Sequence, residues 1–308
     1  MQFKKWADTY LNIYLKPRIK KHTYYIYLSI LNNHILPFFN KYEIEDIKVQ
    51  DINIFINILL NKSNKNGEKL NASTINLIII FLKSIFKEAF ESEIISKNPI
   101  IRIKTLPIIQ KEITVLSKQD QNKLVDYCIL NIDDSRYLGI ILTLYTGLRI
   151  GELLGLTWKN IDLRERIIKI TQILSKINNQ YEITSPKTSS SIRFIPISNQ
   201  LEMFLRLEKN KKLSEFVISY HNKHCLIRSY QYFFSMVLKK LNIKYVNFHV
   251  LRHTFATRCL EIGIDIKTIS EIMGHKNATI TLNRYSHSTI KTKRKALNQL
   301  SKSINVER

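Results

Sequence analysis

The stretch His249-Val250-Leu251-Arg252-His253-Thr254-Phe255-Ala256-Thr257 decides how this chain is read. His249 and Arg252 are three residues apart, so a helix places them on one face, one turn apart. Leu251, Phe255 and Cys259 recur at four-residue spacing and point the other way, into a core. After Gly263 a second helical pattern, Ile266, Ile269, Ile272 and Met273, stops at Gly274. His275 follows at once, and Tyr285 comes ten residues later within Asn283-Arg284-Tyr285-Ser286-His287.

Working outward, 308 residues suffice for two domains with substantial cores, and the 44% hydrophobic content is that of a globular chain. The formal charge of +23 comes from 48 Lys and Arg against 25 Asp and Glu. AT-rich coding explains some of the lysine but not the shortfall of acids. The excess points to a polyanionic partner, most simply nucleic acid, with an anionic membrane surface a weaker second. No apolar run reaches transmembrane length, and Met1-Gln2-Phe3-Lys4-Lys5 does not open a signal peptide. Cys128, Cys225 and Cys259 share no metal-ligand or redox spacing, so they read as reduced core thiols of a cytoplasmic protein.

The N-terminal third reads as helical. Phe3 to Tyr14 is a short amphipathic opener. Thr23 is placed to cap a helix carrying Leu28, Leu31 and Ile35 that ends near Pro37. Asp51 is placed to cap the next, which buries Ile52, Phe55, Ile56 and Leu59. Asn61 to Asn71, with Gly67, is a loop, and Ser73 opens a long helix through Leu82, Ile85, Phe86 and Phe90. The basic cluster Lys16, Arg18, Lys20, Lys21 and His22, interleaved with Tyr14, Tyr24 and Tyr25, is either a phosphate-contacting surface or a solvated charged face. Arg102 to Thr114, flanked by Pro99 and carrying Pro107, reads as a linker. Ser117 and Asp120 then have the spacing of a capping box.

Beyond it lies Thr146-Gly147-Leu148-Arg149-Ile150-Gly151-Glu152-Leu153-Leu154-Gly155-Leu156. Taken alone, Arg149 and Glu152 form an exposed helix ion pair, which is common and worth little. Three β-like runs follow: Ile167 to Ile173, Tyr181 to Thr184, and Ser191 to Ile197. The turn Ser185-Pro186-Lys187-Thr188-Ser189 carries a lysine that nothing local distinguishes from a solvated one.

The order H-x-x-R-H, then G-H, then Y resembles the C-terminal signature of the tyrosine recombinases, the phage integrase family. Thr146 to Leu156 is similar to that family's first-arginine motif over its full length. The N-terminal third resembles the family's core-binding domain, which turns the basic cluster toward DNA contact. The resemblance implies a mainly α fold with a small antiparallel β-sheet (α+β), folded as a C-shaped DNA clamp. It implies a helical, SAM-like core-binding domain over 1–104, a linker over 105–115 and a catalytic domain over 116–308. It assigns Arg149, Lys187, His249, Arg252, His275 and Tyr285 to catalysis, with Glu152 orienting Arg149. In the family a lysine on a β-hairpin turn enters the site, and P-K-T before S-x-R-x-I-P matches that context. Lys176 is a nearby alternative to Lys187. His253 reads as a packed or hydrogen-bonded core histidine, and His287 as a possible accessory.

The chemistry accounts for these residue types. A phosphodiester is anionic, and its pentavalent transition state concentrates charge on the non-bridging oxygens. Two guanidiniums present planar forks to those oxygens and stay charged, and stabilising developing charge in a pre-arranged site is usually the largest catalytic term. His249 and His275 can donate hydrogen bonds or move protons near neutral pH. Tyr285 is the nucleophile, and Lys187 can protonate the departing 5′-oxygen. The product is a 3′-phosphotyrosyl link that a new 5′-hydroxyl can reseal. No cofactor is expected, since the chain has neither a P-loop nor a DxD-type carboxylate cluster.

The implied partners are duplex DNA with a specific recombination site, copies of the chain in a synaptic tetramer, and accessory DNA-bending or directionality proteins. A C-terminal helix over Ile290, Leu297, Leu300 and Ile304 is expected to dock on a neighbouring protomer or to cap its own domain. The first residues are expected to open the core-binding segment itself rather than the arm-binding domain that many mobile-element integrases carry, as in a simple integrase, a Xer-type resolvase or a truncated chain. Integration or excision of a mobile element is the leading role. A Xer-type resolvase or a type IB topoisomerase-like swivelase shares the chemistry. A DNA-binding protein without catalysis is the reading from another class, and a metal-dependent nuclease lacks carboxylate ligands in the sequence.

Overall fold

The computed structural model describes residues 1–63, 67–108, 113–178, 180–185, 192–211, 214–221 and 223–275. The chain divides into two compact units: Met1–Lys111 with Lys176–Gln180, and Glu112–Ser175 with Tyr181–Arg308. As expected, it is mostly helical with small antiparallel sheets.

The first unit contains α1 (Phe3–Thr9), α2 (Lys21–Ile30), α3 (Leu36–Phe39), α4 (Val49–Asn61) and α5 (Ala72–Glu91). Its core is built on aromatic rings: Phe39 lies 5.3 Å from Phe3 and 5.0 Å from Phe55, centroid to centroid. Trp6 buries its ring and satisfies its indole N–H on the Ile85 carbonyl at 3.1 Å. Asn76, buried on α5, holds the connecting segment by exchanging two hydrogen bonds with the backbone of Leu106, at 2.9 and 2.7 Å.

Several expected boundaries move. Lys20, not Thr23, precedes the first residue of α2, and Thr23 lies inside the helix. The helix does not stop at Pro37: a π turn at Leu31–Ile35 leads into α3, with Pro37 in its first turn. The widened turn accommodates a ring that would collide with the preceding turn of a regular α-helix and that has no N–H to donate. Asp51 sits in the first turn of α4, not before it, and caps backwards by accepting from the Lys48 N–H at 2.8 Å. Asn71, rather than Ser73, caps α5 through the Thr74 N–H.

The second unit contains α6 (Lys118–Leu130), α7 (Ser135–Thr146), α8 (Ile150–Leu154), β1 (Ile161–Asp162), β2 (Ile167–Ile170), most of β3 (Ile173–Ile177) and of β4 (Gln180–Thr184), whose adjoining ends are counted in the first unit, β5 (Arg193–Pro196), α9 (Asn199–Asn210), β6 (Ser219–Tyr220), β7 (Lys223–His224), α10 (Ile227–Lys240), α11 (His249–Glu261) and α12 (Ile266–Met273). Ser117 caps α6 as its spacing predicts, accepting from the Asp120 N–H at 3.0 Å. Helix α7 is buried on nearly every side, from Leu138 through Thr146, and forms the axis of the core. Strands β1, β2 and β5 form one antiparallel sheet with Ile168 opposite Ile195, while β3 and β4 pair separately. The expected run Ile167 to Ile173 is thus split between two sheets. In β5 the inward parity is Arg193 and Ile195, continued by Ile197, and Ile192 and Phe194 face solvent. Helix α12 packs Ile269 and Met273 against Phe255, Ala256 and Cys259 of α11. All three cysteines are buried and unpaired, and burial holds the Cys128 thiol at a pKa of about 12.

Candidate active site

Four elements of the second unit meet at the C-terminal end of α12. Gly274 closes that helix in the left-handed conformation, φ +64°, and the next N–H, that of His275, returns to the Ser270 carbonyl at 3.0 Å. A helix end leaves its last carbonyls without intrahelical donors and carries partial negative charge. Three arginines supply the donors. Arg193 Nε donates to the Ile272 carbonyl at 2.6 Å. Arg252 Nη2 donates to the Met273 carbonyl at 2.7 Å, and Arg149 Nη1 reaches the same oxygen at 3.3 Å. Arg149 Nη2 also donates to the Gly274 carbonyl at 3.3 Å.

Arg149 is delivered by a turn that its glycines make possible. Gly147 ends α7 at φ +66°, and its carbonyl accepts from Arg252 Nη1 at 2.6 Å. Helix α8 then starts at Ile150 and lies directly on the backbone of β3. A Cβ on Gly151 would stand 2.7 Å from the Leu174 carbonyl oxygen, and one on Gly155 would stand 2.9 Å from the Leu174 nitrogen. Three glycines in eleven residues therefore serve close approach and a left-handed turn.

Glu152 is not the exposed helix partner that spacing alone suggests. Its side chain is 3% exposed, accepts from the Arg149 N–H and Nη1 at 2.9 Å each, and accepts two more bonds from Arg193 at 3.1 and 2.9 Å. Burial pushes its pKa up, but hydrogen bonds and charge from Arg193, then the charge of Arg149, overcome this and hold it at about 2. The carboxylate stays ionised and fixes the Arg149 guanidinium, which keeps 38% of its side-chain surface exposed. Arg252, by contrast, is only 1% exposed, a charge carried inside the core on backbone carbonyls.

His249 opens α11 on its exposed side, with its N–H on the Asn247 side chain at 3.0 Å. Its ring stands edge-on to His253, 4.7 Å between centroids. Arg149, Glu152 and Arg252 thus come together, with His275 immediately after the carbonyls they grip and His249 on the helix that carries Arg252. Lys187 and Tyr285, and with them His287 and the C-terminal helix expected over Ile290 to Ile304, lie outside the described residues. Lys16, Arg18, Lys20 and Lys21 are exposed on the first unit, and the Lys16 ammonium lies 5.3 Å over the Tyr24 ring. Among the described residues no three His, Cys, Asp or Glu side chains group as metal ligands.

Arg193 is the residue that sequence reasoning missed. Its signal was the parity of β5: an arginine in phase with Ile195 and Ile197 on an alternating strand requires a buried partner.

The phage integrase family matches residues 114–292, more than half of the chain, and the family's N-terminal SAM-like domain matches residues 2–60. The chain belongs to the phage integrase family and is a tyrosine recombinase. A XerC-like tyrosine recombinase of Caldanaerobacter subterraneus subsp. tengcongensis is 28% identical, over 87% of this chain and 75% of that protein. The ICEBs1 integrase of Bacillus subtilis is 26% identical, over 84% of this chain and 72% of its own. Among solved structures, the Tn1549 transposon integrase in complex with transposon right end DNA superposes with a TM-score of 0.79 at 25% identity, covering 98% of this chain and 100% of that one. A lambda integrase tetramer bound to a Holliday junction shares the fold, with a TM-score of 0.71 at 21% identity over 91% of this chain and 79% of that one. No described helix is long and apolar enough to cross a membrane.

Proposed function

We propose that this chain cleaves and rejoins duplex DNA at a specific site through a 3′-phosphotyrosyl intermediate, integrating or excising a mobile element. One observation carries the reading: Arg149, from the turn before α8, and Arg252, from α11, converge on the Met273 carbonyl while buried Glu152 holds the first of them. That convergence suits two guanidinium forks to the non-bridging oxygens of one phosphate. His249 and His275 donate to that phosphate or shuttle protons, Lys187 protonates the leaving 5′-oxygen, and Tyr285 attacks. The names of the ICEBs1 integrase and the Tn1549 transposon integrase, to which the chain is similar, support the mobile-element role.

The domains follow: a DNA-gripping domain over 1–104 with Lys16, Arg18, Lys20 and Lys21 on phosphates, a linker over 105–115, and the catalytic domain over 116–308. The working form is a tetramer of the chain on two duplexes in the cytoplasm, assisted by DNA-bending or directionality proteins. The chemistry requires no cofactor.

The test separates binding from chemistry. Arg149→Ala, Arg149→Lys, Arg252→Ala and Arg252→Lys are compared in single-turnover cleavage and in affinity at fixed salt, at a temperature where each is folded. Removing one charge-stabilising donor costs on the order of 10²–10³ in rate, and Lys rescues poorly because an ammonium has no fork. Affinity changes little, since the +23 chain makes many other phosphate contacts. Near-normal cleavage with weakened binding in all four would refute the active-site reading.

A further inference from the structure

We infer that Arg193 is a positioning residue of this site, coupling the Arg149–Glu152 pair to the end of α12 from which His275 emerges. The inference deepens the proposed function and rests on it.

The guanidinium of Arg193 spends its donors in two directions at once. Nη1 and Nη2 take the two oxygens of Glu152 at 3.1 and 2.9 Å, the fork-on-fork geometry of a bidentate pair. Nε takes the Ile272 carbonyl at 2.6 Å, in the last turn of α12. Glu152 passes the constraint to Arg149 through two further hydrogen bonds. One planar group therefore fixes the distance between α8, β5 and α12. The Arg193 side chain is 6% exposed and Glu152 is 3% exposed, so water cannot stand in for either partner.

Gly274 closes the contact from the other side. A Cβ there would meet Arg193 at 2.9 Å from Nη1 and 3.0 Å from Cδ. The glycine before His275 thus answers two needs, its left-handed φ and the flat guanidinium lying against it. Arg193 touches none of the reacting atoms. Through Glu152 it holds the fork of Arg149, and through the Ile272 carbonyl it holds the turn that presents His275. Misplacing a catalytic group by about 1 Å can cost on the order of 10²-fold in rate, so this coupling falls on the chemical step.

The test uses the full chain with a nicked suicide duplex spanning the DNA that flanks its own gene. Arg193→Gln, Arg193→Lys and the double variant Glu152→Gln/Arg193→Gln are compared with the parent. The double variant leaves no orphaned buried carboxylate, so, compared with Glu152→Gln alone, it reports on Arg193 if Arg193→Gln alone does not fold. Each folded variant is expected to bind the duplex within about twofold of the parent and to cleave on the order of 10²-fold more slowly. Arg193→Lys should recover only part of the loss, because one ammonium cannot span Glu152 and the Ile272 carbonyl together. Folded variants that cleave within about twofold of the parent would make Arg193 a purely structural residue and overturn the inference alone. A parent chain that forms no covalent adduct would overturn the proposed function, and this inference with it.

Discussion

Arg149 and Arg252, far apart in the sequence of the second unit, donate to the same oxygen, the Met273 carbonyl. The backbone at the end of α12 thereby sets the separation of the two guanidiniums. Their relative placement depends on a helix terminus rather than on the turn before α8 or on α11 alone.

Glu152 should make stability depend on acid pH. Its folded pKa of about 2 lies below the ordinary 4.5, so its contribution is fully present above about pH 4.5 and is lost as pH falls toward 2. A gap of that size corresponds to roughly 3 kcal/mol. Urea unfolding of the parent and Glu152→Gln should differ by that order at neutral pH and converge below pH 4.5. A difference that stays constant down to pH 3 would remove Arg193 and Arg149 as the cause.

Two left-handed glycines separate strain from contact. Gly263, at φ +93°, has nothing within 4 Å of an added Cβ, whereas Gly274, at φ +64°, meets Arg193. Gly263→Ala should cost about 1–2 kcal/mol of backbone strain and leave cleavage normal. Gly274→Ala should cost at least as much and also slow cleavage severalfold or more. Equal cleavage in both variants at saturating DNA would contradict the contact.

Gly139 on α7 faces the Tyr230 hydroxyl, which donates to the Arg136 carbonyl at 2.7 Å. An added Cβ would collide with that hydroxyl, so Gly139→Ala should destabilise by about 1–3 kcal/mol. In a Tyr230→Phe background the cost should fall below that, because the remaining close atoms, the ring carbon at 3.1 Å and Ile218 Cδ1 at 3.3 Å, are much less crowded than the hydroxyl. Equal costs in both backgrounds, measured by thermal melts, would rule out the clash.

If guanidiniums neutralise the phosphate as proposed, cleavage should proceed in EDTA without nucleotide. Strict dependence on added Mg²⁺ in a plasmid or oligonucleotide assay would favour the nuclease reading instead.

Much of this was legible in the sequence where periodicity and glycine placement agree. Leu251, Phe255 and Cys259 are buried as their spacing predicts, and α12 stops at Gly274. Glu152 was legible as a partner of Arg149, but its burial depends on Arg193, which lies beyond the reach of any helix period. The helix through Pro37 was misread because a π turn is a backbone adjustment with no residue signature. The caps at Lys20 and Asn71 shifted because several polar residues stood within one turn, and local propensity does not choose among them.

The most direct measurement of the central claim is the identity of the covalent link. The chain is incubated with the nicked suicide duplex spanning its gene's flanks, the adduct is digested, and the modified peptide is located by mass spectrometry. The account predicts a 3′-phosphotyrosyl peptide at Tyr285, and no adduct from Tyr285→Phe despite unchanged binding. An adduct that persists in Tyr285→Phe, or one mapped to another residue, would contradict it.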